Sequence, residues 1–309
     1  MSFQERQITQ ILIDYKIALA WVEALIPNIK TASRIYKYLE VIESSVRANK
    51  DGTTNTNPLL LTLEAHQKSD LLIEIHKKFY NRTEKSFVDK LHASLLGPVY
   101  LHKEILQGEG PSKNTHGRDV ESEFYFATHV KNPDIVSFQG NDVVYDLKDY
   151  KMGVEVKRIH SLEQIESNFK IACNQIQKNP DVRYGMVGFR FDNHYLLEDQ
   201  FGLKLIDRGE NILSYASHEE CFRYAEVQTK YFVKKVGSIL LSASHSFPKV
   251  MGIGVFGLFP GRLKISEIPF LAGNFSFAWF GGVPRPCKKV FTKMTNEFEK
   301  PQGIESVEN

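Results

Sequence analysis

Apolar residues recur at three- and four-residue steps through the first third of the chain. The clearest stretch places them at Ile8, Ile11, Leu12, Tyr15, Leu19, Val22 and Ile26. This spacing puts the apolar side chains on one face of an amphipathic helix. The same pattern predicts helices over about 32–48, 59–80 and 84–96, with a polar loop at 49–58. The sequence therefore predicts an all-helical N-terminal region, residues 1–108.

The pattern changes after a polar, glycine-containing linker at 107–116. Short apolar runs then alternate with helix-like segments: a helix at 119–130, two strands within 140–159, a helix at 164–178 and a strand at 184–191. A helix, antiparallel strands, a second helix and a further strand in this order predict an α/β fold, with helices packed on a mixed sheet.

The remaining segments predict a long helix at 218–241 and two strands rich in aromatic residues. The second strand alternates small residues with Phe275, Phe277 and Trp279. Such alternation is typical of a buried strand, although the same rings could stack on nucleic-acid bases. We therefore divide the chain into the helical region, an α/β domain at 109–293 and a frayed polar tail at 294–309.

Composition describes an ordinary globular chain, since 42% of the residues are hydrophobic and 25% are charged. A formal net charge of +2 excludes a histone-like protein but is compatible with a local basic cleft. The cysteines, Cys173, Cys221 and Cys287, are widely separated, which argues against a zinc ribbon or a disulfide framework. The sequence shows neither a signal-peptide pattern nor a long apolar run, so we expect a cytoplasmic protein without a membrane span.

The candidate chemistry lies within 140–159, where two short strands flank a polar turn. Because strand side chains alternate, Glu155 and Lys157 share one face of the second strand. We predict a turn that is symmetric about residues 149–150. Asp142 then lies opposite Lys157 and one diagonal step from Glu155. A loop of odd length would instead move Asp142 to the other face.

Asp142 and Glu155 would bring two carboxylates together, which is costly unless a cation binds between them. Hard divalent cations prefer oxygen ligands, and the ammonium group of Lys157 would lie beside a substrate phosphate. This arrangement predicts a metal-dependent phosphodiesterase, although alternating charges also occur on solvated hairpins without a function. Asp146 competes with Asp142 because it shares the same face, but it lies at the turn end of the hairpin.

Asp142, followed after a strand-turn-strand gap by Glu155-Val156-Lys157, resembles the motif of the PD-(D/E)XK nuclease superfamily, which includes many restriction endonucleases. Upstream, Gly117-Arg118-Asp119-Val120-Glu121 resembles the G-R-x-x-E opening of the first helix in many members. Downstream, Gln175 falls in a predicted helix, where several branches of the family place a glutamine. The resemblance covers roughly residues 115–195.

The resemblance implies a restriction-endonuclease-like α/β/α core and a Mg²⁺-dependent endonuclease, with Mn²⁺ as an alternative metal. Asp142, Glu155 and the backbone carbonyl of Val156 would hold the metal. Lys157 would orient or deprotonate the attacking water, or neutralise the phosphate. The chain departs from the family pattern at Asn141, which stands where the motif has proline.

The first helix of the α/β domain offers two candidate carboxylates. Motif spacing selects Glu121 as a metal-site or water-orienting residue, whereas Glu123 lies nearer the predicted buried stripe. Either carboxylate could instead compensate the helix dipole alone. Gln175 would position substrate or water, although a surface glutamine on a helix needs no such role.

The expected partner is double-stranded DNA, and the helical region is a candidate for DNA recognition or for a homodimer interface. A restriction or defence role is expected by analogy, because a helical domain joined to one nuclease core suits it. Two other functions fit the same sequence: a non-catalytic nucleic-acid-binding protein on this fold, and a protein-interaction module that uses the helical half.

Overall fold

The computed structural model of the protein describes residues 8–29, 33–53, 57, 59–96, 116–159, 163–191, 214–264, 269–280, 285–299 and 304–307. The chain forms two compact units, Ser2–Phe124 and Tyr125–Asn309. Their division falls later than the predicted boundary at 108/109, and most of the predicted linker lies outside the described residues. Within the described ranges, no helix has the length and apolar character needed to cross a membrane.

The N-terminal unit is built from helices, as the sequence predicts. Their bounds are Ile8–Leu25 (α1), Arg34–Asp51 (α2), Leu59–Phe79 (α3), Lys85–Leu95 (α4) and the first part of His116–Thr128 (α5). The predicted apolar stripe of α1 is buried at Ile11, Tyr15, Leu19 and Val22. Helix α2 ends at Gly52, whose left-handed φ of 63° suits a residue without a Cβ.

The C-terminal unit combines helices with a mixed sheet, so the predicted α/β class is confirmed. After α5, its helices are Ile165–Lys178 (α6), His218–Ser244 (α7) and Arg285–Thr295 (α8), with a 3₁₀ turn at Pro133–Ile135. Its strands are Val136–Ser137 (β1), Val143–Asp146 (β2), Lys151–Arg158 (β3), Tyr184–Phe191 (β4), Ser214–Tyr215 (β5), Val250–Leu263 (β6), Pro269–Phe280 (β7) and Ile304–Val307 (β8).

The strands form one sheet in the order β1-β2-β3-β4-β6-β7-β8, and β5 pairs with β6. The β2–β3 and β6–β7 pairs are antiparallel, whereas β3, β4 and β6 run parallel to one another. A parallel pair needs a crossover connection, and α6 supplies it between β3 and β4. The hairpin that carries the motif is therefore fixed to the parallel centre of the sheet through β3.

Helices cover both faces of this sheet. On one face, Ile176 of α6 packs so closely over Gly185 that a Cβ there would lie 2.3 Å from it. On the opposite face, Phe126 fills the space over Gly188, where a Cβ would lie 2.8 Å from its ring. Glycine at these strand positions lets the helices approach the sheet.

The C-terminal segment differs from the predicted frayed tail. Phe298 is buried against the rings of Phe275 and Phe277, and β8 adds a parallel strand beside β7. The prediction of a polar tail at 294–309 is therefore wrong for the described part of that segment, because one aromatic side chain finds apolar partners in the sheet. The predicted burial of the aromatic strand is confirmed by the same contacts.

Candidate active site

The β2–β3 hairpin has a different register from the predicted one. Val143 pairs with Val154 at the open end of the hairpin, and the turn comprises residues 147–150. Continued by one residue, this register sets Asp142 opposite Glu155. The predicted pairing of Asp142 with the lysine two residues further along is therefore wrong.

The conformation of the turn explains this shift. Lys148 adopts a left-handed φ of 67°, and the Leu147 N–H donates to the Tyr150 carbonyl at 3.0 Å. A lysine with positive φ is uncommon, so the spacing of residues does not reveal it. Because the register shifts by two residues, an even number, every side chain keeps its predicted face.

Asp142, Glu155 and Lys157 converge at the open end of the hairpin. The Lys157 Nζ lies 3.4 Å from Glu155 Oε2 and 3.9 Å from Asp142 Oδ2. The Val156 backbone N–H donates a hydrogen bond to Asp142 Oδ2 at 2.8 Å. The structure thus brings together the two carboxylates and the lysine that the motif predicts.

Glu155 lies next to Val187 in the β3–β4 register, on the sheet face that α6 covers. It is only 1% exposed, whereas about a fifth of the Lys157 and Asp142 side chains is exposed. Burial, and then the neighbouring Asp142 carboxylate, raise the pKa of Glu155 to about 6. Hydrogen bonds from Asn141 and Lys157 oppose this rise without cancelling it.

Asn141 is a site residue that the sequence pattern did not single out. Its Nδ2 donates to Glu155 Oε1 at 2.6 Å, and its Oδ1 accepts from Asn179 Nδ2 at 2.6 Å. Asn179 directly follows α6, and its Oδ1 accepts from the backbone N–H of Asp181 at 3.0 Å. The available signal was position, since Asn141 immediately precedes the motif acid where the family has proline.

The backbone of Val156 is oriented toward Asp142. In an extended strand the N–H and C=O of one residue project to the same edge, and the Val156 N–H projects to Asp142. The β2–β3 pairing ends at Val143 and Val154, so the Val156 carbonyl lies beyond the last strand pair on the Asp142 side. This carbonyl and the two carboxylates are oxygen donors of the type that Mg²⁺ prefers.

The chain matches no protein-family model, and no match was found among curated proteins or solved structures. Within the described ranges, no group of three or more His, Cys, Asp or Glu side chains is placed to hold a metal ion. The carboxylates that lie beside Lys157 are those of Asp142 and Glu155.

Asp146 and Gln175 are placed differently from this group. Asp146 pairs with Lys151 beside the turn, and Lys151 is separated from Lys157 by about 20 Å of strand at roughly 3.3 Å per residue. Asp146 therefore occupies the turn end of the hairpin, as predicted. Gln175 lies on an exposed flank of α6, whose sheet-facing side buries Ile176. Its role in positioning substrate stays a prediction.

Both candidate glutamates of α5 belong to the N-terminal unit and are buried in ion pairs there. Glu121 Oε1 lies 2.7 Å from Arg34 Nη2, and its other carboxylate oxygen pairs with Lys68. Glu123 pairs with Lys90. Glu121 thus has a place in a buried cluster of three charged side chains, and its role at a metal site stays a prediction.

Proposed function

We propose that this protein is a metal-dependent nuclease that hydrolyses phosphodiester bonds at Asp142, Glu155 and Lys157. The observation that carries the proposal is the convergence of these side chains, with Lys157 Nζ 3.4 Å from one carboxylate and 3.9 Å from the other. A solvated hairpin face would leave its carboxylates in water, because burying an ionised carboxylate costs free energy. Glu155 is instead buried beside a second acid.

Asp142, Glu155 and the carbonyl of Val156 would hold Mg²⁺, with Mn²⁺ as an alternative. The donor set fits, because Mg²⁺ is commonly bound through one or two carboxylates while it keeps several waters. The raised pKa of Glu155 supports the same assignment, since a cation would relieve the repulsion from Asp142. A bound metal would lower the pKa of a coordinated water and stabilise charge on the phosphate.

Lys157 would act directly on the substrate. It is partly exposed, so a phosphate can approach its ammonium group, whereas Glu155 beside it is buried. A positive charge held there stabilises the negative charge that develops on the phosphate, and it can orient the attacking water. Asp142 and Glu155 keep the ammonium group at this position through the two ion pairs.

Double-stranded DNA is the proposed substrate, and a restriction or defence endonuclease is the proposed class. Both rest on the motif resemblance and on the combination of a helical unit with an α/β unit in one chain. The helical unit would supply DNA contacts or a homodimer interface.

Incubation with supercoiled plasmid, single-stranded DNA and RNA in Mg²⁺, beside an EDTA control, tests the proposal. We expect metal-dependent cleavage that Lys157→Ala reduces by about 10²-fold or more and that Asp146→Asn retains. Binding of DNA without cleavage by any divalent metal would favour the non-catalytic nucleic-acid-binding alternative. The absence of binding at low salt, where phosphate contacts are strongest, would favour the protein-interaction module.

A further inference from the structure

A chain of hydrogen bonds runs from the backbone of Asp181 through Asn179 and Asn141 to Glu155, and it has a fixed direction. The backbone N–H of Asp181 can only donate, so Asn179 must present its Oδ1 to it. The Nδ2 of Asn179 then faces Asn141, which must accept with its Oδ1. This leaves the Nδ2 of Asn141 pointing at Glu155 Oε1. One backbone amide therefore sets the orientation of both side-chain amides.

The chain is shielded from solvent and closely packed. Asn141 and Asn179 are 6% and 8% exposed. A Cβ on Gly153 would lie 2.5 Å from Asn141 Oδ1, and a Cβ on Gly140 would lie 2.7 Å from Asn179 Nδ2. Gly140 also has a φ of 80°, which other residues rarely adopt. The two glycines thus leave the space that the paired amides fill.

The far end of the chain is anchored on a helix terminus. The Asn179 carbonyl accepts from Lys249 Nζ at 2.8 Å, and the Asn179 N–H bonds to the Ile176 carbonyl at the end of α6 at 3.3 Å. The position of Glu155 Oε1 is therefore tied to α6 through two side chains, neither of which carries a charge.

We propose that Asn141 and Asn179 are positioning residues that hold the Glu155 carboxylate in one orientation as a ligand for a divalent cation. The inference rests on the proposed function, in which Glu155 is such a ligand. An ionised carboxylate can only accept hydrogen bonds, and the chain ends on a donor. It therefore fixes one oxygen of Glu155 and leaves the other toward Lys157.

Asn179→Asp tests the direction of the chain. Aspartate has nearly the same shape and can still accept from the Asp181 N–H, but it has no N–H to offer Asn141. Asn141 is then drawn to donate to residue 179, which turns its Oδ1 toward Glu155, so that two acceptors meet. Divalent-cation binding should weaken, whereas the added negative charge acting through Coulomb attraction alone would strengthen it.

The measurement is calorimetric titration of the full chain with Mn²⁺ in the absence of nucleic acid. We expect Asn141→Ala and Asn179→Asp each to weaken Mn²⁺ binding by about 10- to 100-fold, the usual effect of removing a residue that orients a metal ligand. Asp181→Asn is the matched control, because it changes an exposed side chain and keeps the backbone donor. Circular dichroism checks the fold, and Asn179→Ala replaces Asn179→Asp if that variant does not fold.

Unchanged or tighter Mn²⁺ binding by the folded variants would overturn the positioning role. If the substitutions weaken Mn²⁺ binding but the wild-type chain cleaves no nucleic acid, the positioning role is supported and the nuclease proposal is contradicted. A wild-type chain that neither binds Mn²⁺ nor cleaves would overturn both. Where cleavage is observed, the same fold-change is expected in the Mn²⁺ concentration that gives half-maximal rate.

Discussion

Asp142 Oδ2 accepts a hydrogen bond from the backbone N–H of Val156 at 2.8 Å, beyond the last β2–β3 strand pair of Val143 with Val154. The carboxylate is thus held by the neighbouring strand while its charge lies near Lys157. The hydrogen bond and the charge of Asp142 can be tested separately, because an amide oxygen accepts the same hydrogen bond without carrying a charge.

Asp142→Asn should therefore lose metal affinity without losing the fold. The amide oxygen still accepts from Val156, whereas a neutral ligand holds Mg²⁺ less tightly, and we expect affinity at least about tenfold lower. Calorimetric titration with Mg²⁺ measures the change, and thermal unfolding checks stability. Asp146→Asn, at the turn end of the same strand, should bind as the wild type does. A larger loss in the Asp146 variant would argue against the observed register.

Lys157→Ala and Glu155→Ala should each reduce cleavage by at least about 10²- to 10³-fold, the cost of removing one group that stabilises charge in a transition state. The rate of plasmid nicking at saturating Mg²⁺ measures the effect. Lys151→Ala is the control, because it removes an exposed lysine from the same strand. Near-normal activity in either site variant would exclude this site as the catalytic one.

Glu155 should weaken the metal-free fold as the pH rises. Its pKa of about 6 in the folded chain exceeds the ordinary value of 4.5, so the folded state binds the proton more tightly than the unfolded state does. The stability from this group is therefore fully present below about pH 4.5 and is lost as the pH rises through about 6, by up to about 2 kcal/mol.

Urea unfolding in EDTA tests this pH dependence. Glu155→Gln should be more stable than the wild type at pH 7.5, and the advantage should shrink at pH 5. Glu163→Gln, which changes an exposed glutamate, should show no such trend. An equal difference at the two pH values would contradict the assignment of the raised pKa to Glu155.

His66 on α3 should make the N-terminal unit sensitive to acid. Burial lowers the pKa of His66 from 6.5 to about 4, and its buried Nε2 has no hydrogen-bond partner in the described part of the chain. As the pH falls below about 6.5, the His66 imidazole becomes protonated in the unfolded chain, whereas it stays neutral in the folded chain until the pH approaches about 4. Stability should therefore fall by up to about 3 kcal/mol by pH 4. His66→Leu should remove this loss, and His92→Leu, at an exposed position, should not.

Glu121→Gln should destabilise the chain by about 3–5 kcal/mol, because it leaves the buried Arg34 and Lys68 without their shared carboxylate. Glu123→Gln should cost less, since its partner Lys90 is partly exposed. Urea unfolding measures both losses. Cleavage by the folded Glu121 variant also tests its role at the metal site, because a purely structural role predicts normal activity wherever the variant remains folded.

Periodicity predicts most of the elements that carry the site, because burial of one face imposes the period. The helix predicted at 164–178 is Ile165–Lys178, and the strand predicted at 184–191 has those bounds. The face shared by Asp142 and Glu155 also follows from alternation. The register does not, because it depends on the backbone conformation of Lys148 in the turn.

Contacts between distant segments could not be predicted from local pattern. Lys68 and Glu121 are 53 residues apart, and Asn141 and Asn179 are 38 apart, so nothing near either residue indicates its partner. Because the partner Lys68 is distant in sequence, motif spacing alone assigns Glu121 to a metal site. In the same way, the sequence marks Asn141 only as a departure from the proline of the motif. Strand β8 escaped prediction because four residues are too short for a clear alternation.

At the open end of the hairpin, the carboxylates of Asp142 and Glu155 are held by different sets of contacts. Glu155 is anchored through the paired amides to the end of α6, whereas Asp142 lies outside the backbone ladder and is joined to β3 through the Val156 N–H and the Lys157 ammonium group. The β2–β3 backbone pairs end at Val143 and Val154, so they do not include Asp142. The Glu155 carboxylate is therefore held more firmly than the Asp142 carboxylate. Under the proposed function, such a pair would adapt to cations of different radius, and a preference among divalent metals would come from their ligand chemistry and hydration rather than from the size of a rigid cage.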